Sequence, residues 1–427
     1  MIEFFPLRFN YIPYPLWRRR WPELVKTMAA PLWNSLYPVP EDTRPPQTAA
    51  EMADVLVRYR LLPEIDLRTL HNALRHSPAV IESTPDVPAL SSSAPGSPLR
   101  LPAQWEPMDS VILNWPVMYP PLWDLHAQMV EAIAPVANVI LTVPAPMWGH
   151  AAWVYLSLRG RMQHCMERVR LFHLPTNDIW VRDHGPIVGY DAQGQRVALD
   201  AIYDHLPNYP QKLDDHMPAR WAAHMGLPVH PLNLHTEGGN LWTDGAGTLI
   251  MTEQVFYENP THDRQSLEAY LHTLLNFDKL ILTPQLEHEE TGHVDMLLKL
   301  ATANTVLVSS PQGSGPNSAV LARALELFRG ETNAAGERYT VIELPRPRLY
   351  TNWFTFTIHR TYTNSLTING RVLVPTYGLP EDAQALAIYR QAMPGYDIVP
   401  IDCKVGINGG GAVHCMTKEV PRAFSGA

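Results

Sequence analysis

Cysteine is nearly absent: the 427 residues carry three, Cys165, Cys403 and Cys415. Three scattered thiols do not make a disulfide framework, and without a CxxC pair they do not make a zinc ribbon. A reducing compartment, the cytoplasm, is the expected home. Positive charge is also short. Lys and Arg number 33 against 42 Asp and Glu, a net charge of −9, which argues against nucleic acid, a partner that demands clustered cations. Uninterrupted apolar runs of bilayer-spanning length are missing. The opening MIEFFPLRFNYIPYPLWRRRWPEL breaks its apolar residues at Pro6, Arg8, Pro13 and Pro15 before reaching Arg18 to Arg20, the reverse of a secretory leader. The expectation is a protein without membrane or nucleic-acid partners.

What is present reads as globular. Hydrophobic residues make up 46% and charged residues 18%, which are ordinary values. The length accommodates one large domain, or one large and one small. Residues 1–97 stand apart: Pro and Trp crowd the start, leucines at helical spacing run through 49–62 and 65–76, and SSSAPGSPLRLP at 91–102 has linker composition. This predicts a small, partly helical extension joined to a main domain over 98–427.

The main domain repeats itself. VILNWP at 111–116 precedes a helical pattern around LWDLHAQMVEAIA and an apolar NVILTVPA. Four hairpins then follow: 185–204 turning at Ala192 to Gln195, 240–253 turning at Asp244-Gly245, 295–310, and 365–377 turning at Asn369-Gly370. Three are trailed by helical patterns and short apolar strands. A long period of this kind predicts α/β units arrayed radially around a central cavity, with a plain α/β sheet as the alternative.

Four short motifs carry polar residues where a hydrophobic scaffold needs none. Gly409-Gly410-Gly411-Ala412-Val413-His414-Cys415 sets three glycines ahead of a His-Cys pair, although a free cysteine is by default a packing residue. Thr291-Gly292-His293-Val294-Asp295, read as extended, puts His293 and Asp295 on one face. The preceding His288-Glu289-Glu290 suggests a zinc helix, but His288 and His293 have the wrong spacing, so no metal is expected. Asp183 is expected at a strand start beside Arg182, an Arg–Asp pair worth little if exposed. Glu237-Gly238-Gly239-Asn240 opens a hairpin. Cys165 and Cys403 are read as packing residues.

Taken in order, Asp183, Glu237-Gly238-Gly239, Gly292-His293-Val294-Asp295 and the Gly-rich His414-Cys415 segment resemble the agmatine deiminase and bacterial peptidylarginine deiminase family of the guanidine-modifying (pentein) superfamily. Pro102-Ala103-Gln104-Trp105-Glu106-Pro107, Trp115-Pro116 and Tyr362-Thr363-Asn364 extend the resemblance over about Leu101 to Pro421. It implies a five-bladed pseudo-symmetric α/β propeller and a small guanidino substrate, with no metal or organic cofactor; a homo-oligomer is left open. It further implies hydrolysis to a ureido product and ammonia through a covalent amidino-thioether on Cys415. His293 would move the protons, Glu237 would orient His293, and Asp183 and Asp295 would hold the guanidinium fork. Trp115, Asn364, Gly410 and Arg182 become candidate substrate contacts, Arg182 for a carboxylate. An amidinotransferase using the same intermediate, or a silent binding protein on the same fold, are the alternatives. The chain departs from the family pattern at Val117 to Asp124, at Ala412 and at Lys418-Glu419, which bear on how the substrate's tail is held.

Overall fold

The computed structural model describes residues 82–83, 96–116, 122–144, 146–159, 162, 164–204, 211–289, 291–312, 317–351 and 357–423. The helices expected at 49–62 and 65–76, and residues 91–95 of the linker, lie outside the described residues. Glu82–Ser83, within the expected extension, pairs parallel with Phe172 and His173 as an edge strand.

Turn chemistry sets the hairpins. Asn369 and Gly370 both adopt positive φ, 42° and 84°, as the tight turn matching strand twist demands. They join Leu366–Ile368 to Arg371–Thr376. The other expected hairpins form as Ile187–Tyr190 with Arg196–Ile202, Trp242–Thr243 with Thr248–Thr252, and Leu298–Thr302 with Thr305–Ser309. In each case the second strand then pairs parallel with a third: Arg196–Ile202 with Val229–His235, Thr248–Thr252 with Lys279–Thr283, Thr305–Ser309 with Thr340–Leu344, and Arg371–Thr376 with Asp397–Asp402. Crossover helices separate the parallel partners, among them Met217–Met225, Arg264–Leu274, Asn317–Gly330 and Glu381–Ala392. Parallel strands need such a crossover.

The remaining large sheet joins the two ends of the domain. Met108–Asn114, Asn138–Val143 and Val169–His173 run parallel, and Lys418–Pro421 pairs antiparallel with Met108–Asn114, setting Lys418 opposite Ile112. Buried side chains such as Leu113, Val139, Leu298, Val308 and Val374 connect sheets and helices into one extensive core. Among the described residues no helix is long and apolar enough to cross a membrane.

This repetition positions the site. In each unit the residues just ahead of the first strand hold the polar motif: Asp183 before Ile187–Tyr190, Glu237 before Trp242–Thr243, His293 and Asp295 before Leu298–Thr302, Asn364 before Leu366–Ile368, and Cys415 before Lys418–Pro421. The short segments there are not extended. Asp183 lies in a helical turn, Val181–His184, rather than at a strand start, and Asp295 lies in the 3₁₀ turn Val294–Met296 with extended His293 at its head. Strand alternation is therefore not what aligns His293 with Asp295. Cys165 heads a short 3₁₀ turn, Met166–Arg168.

Candidate functional site

His293 is the hub. Its Nε2 lies 2.5 Å from Glu237 Oε2 and its Nδ1 lies 3.6 Å from Asp183 Oδ1, with all three side chains buried. The approach requires glycine nearby: a Cβ on Gly239 would stand 2.3 Å from His293 Nδ1. The segment ahead of His293 is tied down by Glu289, which accepts from the Gly292 amide at 2.7 Å and from the Thr291 hydroxyl. Thr252 fixes it from the other side by donating to the Gly292 carbonyl at 2.6 Å.

Cys415 is 5% exposed. Asn364 clamps its loop: Oδ1 accepts from the amides of His414 (3.1 Å) and Cys415 (3.3 Å), and Nδ2 donates to Cys415 Sγ at 3.1 Å. The glycine run exists because Trp180 lies against it. A Cβ on Gly411 would meet the Trp180 ring at 2.3 Å and Cys415 Cβ at 2.9 Å. Gly410 takes φ +91° at the end of the preceding 3₁₀ turn.

Burial pushes the Cys415 thiol well above its ordinary range, and the charges of Asp295 and Asp183 push it further. Burial likewise raises Asp295 to about 7, with Asp183 adding to the shift and His293 opposing it. A thiol in the field of two buried carboxylates is held in its protonated form.

Asp295 is held from behind. His414 Nδ1 lies 2.5 Å from Asp295 Oδ2, and His414 Nε2 lies 2.6 Å from the Gln104 side-chain amide. Gln104 Oε1 accepts from Lys299 Nζ at 3.4 Å and from the Thr367 amide at 3.3 Å. With Oε1 accepting, the Gln104 NH₂ donates to His414 Nε2, which leaves Nδ1–H to donate to Asp295. Burial and surrounding cations keep His414 neutral, well below its ordinary pKa, in agreement with this tautomer. Trp242 stacks on His414 with ring centroids 5.1 Å apart and planes 5° apart. Gln104 and His414 donate along the chain towards Asp295, and Lys299 donates to Gln104 at 3.4 Å and to the Ser365 carbonyl at 3.0 Å; Asp295 Oδ1 is buried and accepts no hydrogen bond among the described residues.

The motifs did not reveal this relay. The available signals were Gln104 inside the Ala103-Gln104-Trp105 run and a lysine, Lys299, inside the apolar strand Leu298–Thr302, where it is fully buried. A buried lysine needs a polar partner.

Two expected contacts take other roles. Arg182 is 2% exposed and engages both carboxylate oxygens of Glu419, with Nη1 at 3.0 Å from Oε1, while its Nε donates to the His414 carbonyl at 3.3 Å. Although burial opposes it, Arg182 holds Glu419 down to about 2. Arg182 is thus a framework residue behind the Cys415 loop and has no fork left for a substrate carboxylate. Trp115 packs in the aromatic core against Trp123 (5.3 Å) and Tyr155 (6.1 Å). Cys403 is fully buried in the core, as expected of a packing residue.

Asp183, Glu237 and His293 each present a ligand atom, all within 4.8 Å of one another, a grouping whose size and charge also suit a metal ion. The sequence had raised a metal only for the His288/His293 pair. The same carboxylates match an organic cation with in-plane N–H donors.

A family model for the Porphyromonas-type peptidyl-arginine deiminases matches residues 100–421, more than half of the chain. The chain belongs to this family. The agmatine deiminase of Pseudomonas fluorescens (strain SBW25) is 27% identical over 374 residues, covering 78% of this chain and 98% of that protein. Among solved structures, the agmatine deiminase of Enterococcus faecalis superposes with a TM-score of 0.67 at 22% identity, covering 78% of this chain and 100% of that one. That of C. jejuni gives 0.66 at 18% identity, covering 78% and 98%. These two likenesses establish the shared mixed α/β fold. Members of the agmatine deiminase family are guanidine-modifying hydrolases that act on C–N bonds, and the buried carboxylates, imidazole and thiol of this chain occupy the matched region.

Proposed function

We propose that the protein hydrolyses a guanidino group to a ureido product and ammonia through a covalent intermediate on Cys415. One observation carries the reading: a thiol and an imidazole, from separate units of the fold, are buried among three carboxylates. Guanidinium is planar, permanently cationic and a weak electrophile, so it must be held and its charge localised before attack. Asp183 and the unengaged Oδ1 of Asp295 supply charge-assisted acceptors on its N–H edge. Its arrival cancels the field that keeps the Cys415 thiol protonated, so the thiol proton passes to His293 and thiolate forms when the electrophile is present.

The thiolate adds to the guanidinium carbon. His293, as imidazolium against Glu237, protonates one nitrogen, which leaves as ammonia, and an amidino-thioether remains. The now neutral His293 removes a proton from water as that water adds to the same carbon. Collapse expels the Cys415 thiolate and frees the ureido product. Each step is served by side chains and water, and calls for no metal or organic cofactor. Asn364 orients the sulfur, and the Lys299–Gln104–His414 relay fixes Asp295 as an acceptor and favours its anion against burial, which raises it to about 7.

The architecture supporting this reading is a ring of five units: four three-stranded sheets of like topology and the larger sheet that joins residues 108–114 to 418–421. Residues 98–427 form that domain and residues 1–97 an extension to it. The partner is a small guanidino molecule, in the cytoplasm.

The test is product analysis of the purified full-length chain on a panel of guanidino compounds. Equimolar ammonia and ureido product are expected. Amidino transfer to added glycine or lysine without ammonia would replace this reading with a transferase.

A further inference from the structure

The strand that closes the domain begins with a buried lysine. Lys418 opens Lys418–Pro421 three residues after Cys415, lies opposite Ile112 and is 5% exposed. It is also one of the residues at which the chain departs from the family pattern. Its side chain runs between the two turns that carry Asp183 and Glu237. A Cβ on Gly185, two residues after Asp183, would stand 3.1 Å from Lys418 Cγ, and a Cβ on Gly238, directly after Glu237, would collide with Lys418 Nζ. Glycine at both positions leaves room for the stem and the head of one lysine.

The ammonium is not consumed by an ion pair. Glu419, the acid next to it in sequence, is engaged by both arms of the Arg182 fork. Among the described residues Lys418 Nζ has neither a hydrogen bond nor a salt bridge. Burial brings Lys418 down to about 7 and the Arg182 guanidinium pushes the same way, while Glu419, Asp183 and Asp295 oppose. Burial and, after it, the Lys418 charge hold His184 down to about 3; His414 is kept neutral by burial and by Arg182, Lys299 and Lys418. Glu237 is occupied by His293. One titrating cation is thus built against the carboxylates that are to receive another.

We infer that Lys418 is the resident counter-ion of the carboxylate set. Its ammonium balances Asp183 and Asp295 while the site is empty, and an entering guanidinium takes over that charge, the displaced proton passing from Lys418 to solvent. Two cations brought to one set of carboxylates repel each other, and the lysine is the one that can lose its charge. Lys418 is therefore a positioning residue: it lies against the turns of Asp183 and Glu237 and acts through their carboxylates. This rests on the reading that a guanidinium occupies the site.

The experiment measures binding of methylguanidinium, a probe without a tail, to full-length Cys415→Ser by calorimetry across neutral pH. Lys418 is charged below about 7 and opposes the probe there; above that value its amine is neutral and does not. Asp295 gives every form a common rise with pH. In the same background Lys418→Met, never charged, should bind about tenfold more tightly than Lys418 at about pH 6 and equally at about pH 8, as for a ligand that lowers the proton affinity of the lysine by one unit. Lys418→Arg, always charged, should match Lys418 at about pH 6 and bind about tenfold more weakly at about pH 8. A constant ratio between Lys418 and Lys418→Met across the range would overturn the inference, and that comparison does not need the arginine variant to fold. Equal binding by Lys418 and a folded Lys418→Arg at about pH 8 would overturn it too. Either result leaves the hydrolase reading in place; no binding of methylguanidinium by any form removes both.

Discussion

Two buried cysteines twelve positions apart in the same C-terminal segment show what separates a packing thiol from a reactive one. Cys403 and Cys415 are both enclosed, and burial raises both thiols above the ordinary range. Burial is therefore not the difference. Cys403 follows the strand Asp397–Asp402, its amide bonded to the Thr376 carbonyl, among the apolar side chains of the core, and the two acids that add to the rise of its thiol are already engaged, Asp402 by Lys404 and Asp382 by the Tyr362 hydroxyl and the Tyr377 and Leu379 amides. Cys415 has an amide donor on its sulfur and two carboxylates and a histidine assembled around it. An arriving cation changes the environment of Cys415 and leaves that of Cys403 as it was.

The largest effect should come from substituting each thiol in turn. Cys415→Ser is expected to lower turnover by about 10³-fold or more, the scale seen when the nucleophile of a concerted set is removed. Cys403→Ser should instead lower stability by about 1–3 kcal/mol, the cost of a buried hydroxyl without a partner, with turnover of the folded protein unchanged. Assays of ammonia release beside thermal denaturation separate the two, and equal losses of turnover would erase the distinction.

Next comes the carboxylate that gives Cys415 its field. Asp295→Asn removes the charge facing the guanidinium and should cost about 3–5 kcal/mol of transition-state binding, a loss of about two to three and a half orders of magnitude in kcat/KM. The variant should also lower the thiol pKa in the empty enzyme, which titration by thiolate absorbance would detect.

A smaller effect is expected from the relay. His414→Phe keeps an aromatic ring against Trp242 but deletes the donor to Asp295 Oδ2, and should lower kcat/KM by about tenfold. Asp295, at about 7, takes up its proton as pH falls through that value and then no longer holds a cation. The profile of kcat/KM should therefore rise across neutrality, and in His414→Phe the rising limb should move to higher pH, because the anion has lost a donor. A limb that stays in place would make His414 a packing residue only. Chelation should have the least effect: turnover is expected to survive exhaustive treatment with a chelator, and loss with recovery on adding a divalent ion would assign Asp183, Glu237 and His293 to a metal.

Much of the fold was legible because turns are written locally. Asp244-Gly245 and Asn369-Gly370 declare their hairpins, and apolar runs such as those at 279–283 and 397–402 declare buried strands. Strand Val229–His235, with Pro231 and two histidines, carries no such run and is recognisable only by its pairing. Individual polar residues of the site stood out for being out of place in an apolar scaffold, but their geometry did not. The turns holding Asp183 and Asp295 are too short for periodicity to reveal. The Gln104–His414 contact joins residues 310 positions apart, and nothing local encodes it. Arg182 was misread for the same reason: its partner Glu419 lies 237 residues on, so a framework ion pair had the appearance of a free cation beside Asp183.

The most direct test compares how fast the unmodified enzyme is inactivated by a cationic haloacetamidine and by a neutral haloacetamide of the same size, with the labelled residue read by mass spectrometry. Inactivation by the cation should be far faster, confined to Cys415 and suppressed in Asp295→Asn, because only a positive charge converts the thiol to thiolate in that field. Equal rates for the two reagents, or labelling of Cys403 or Cys165 in preference to Cys415, would contradict it.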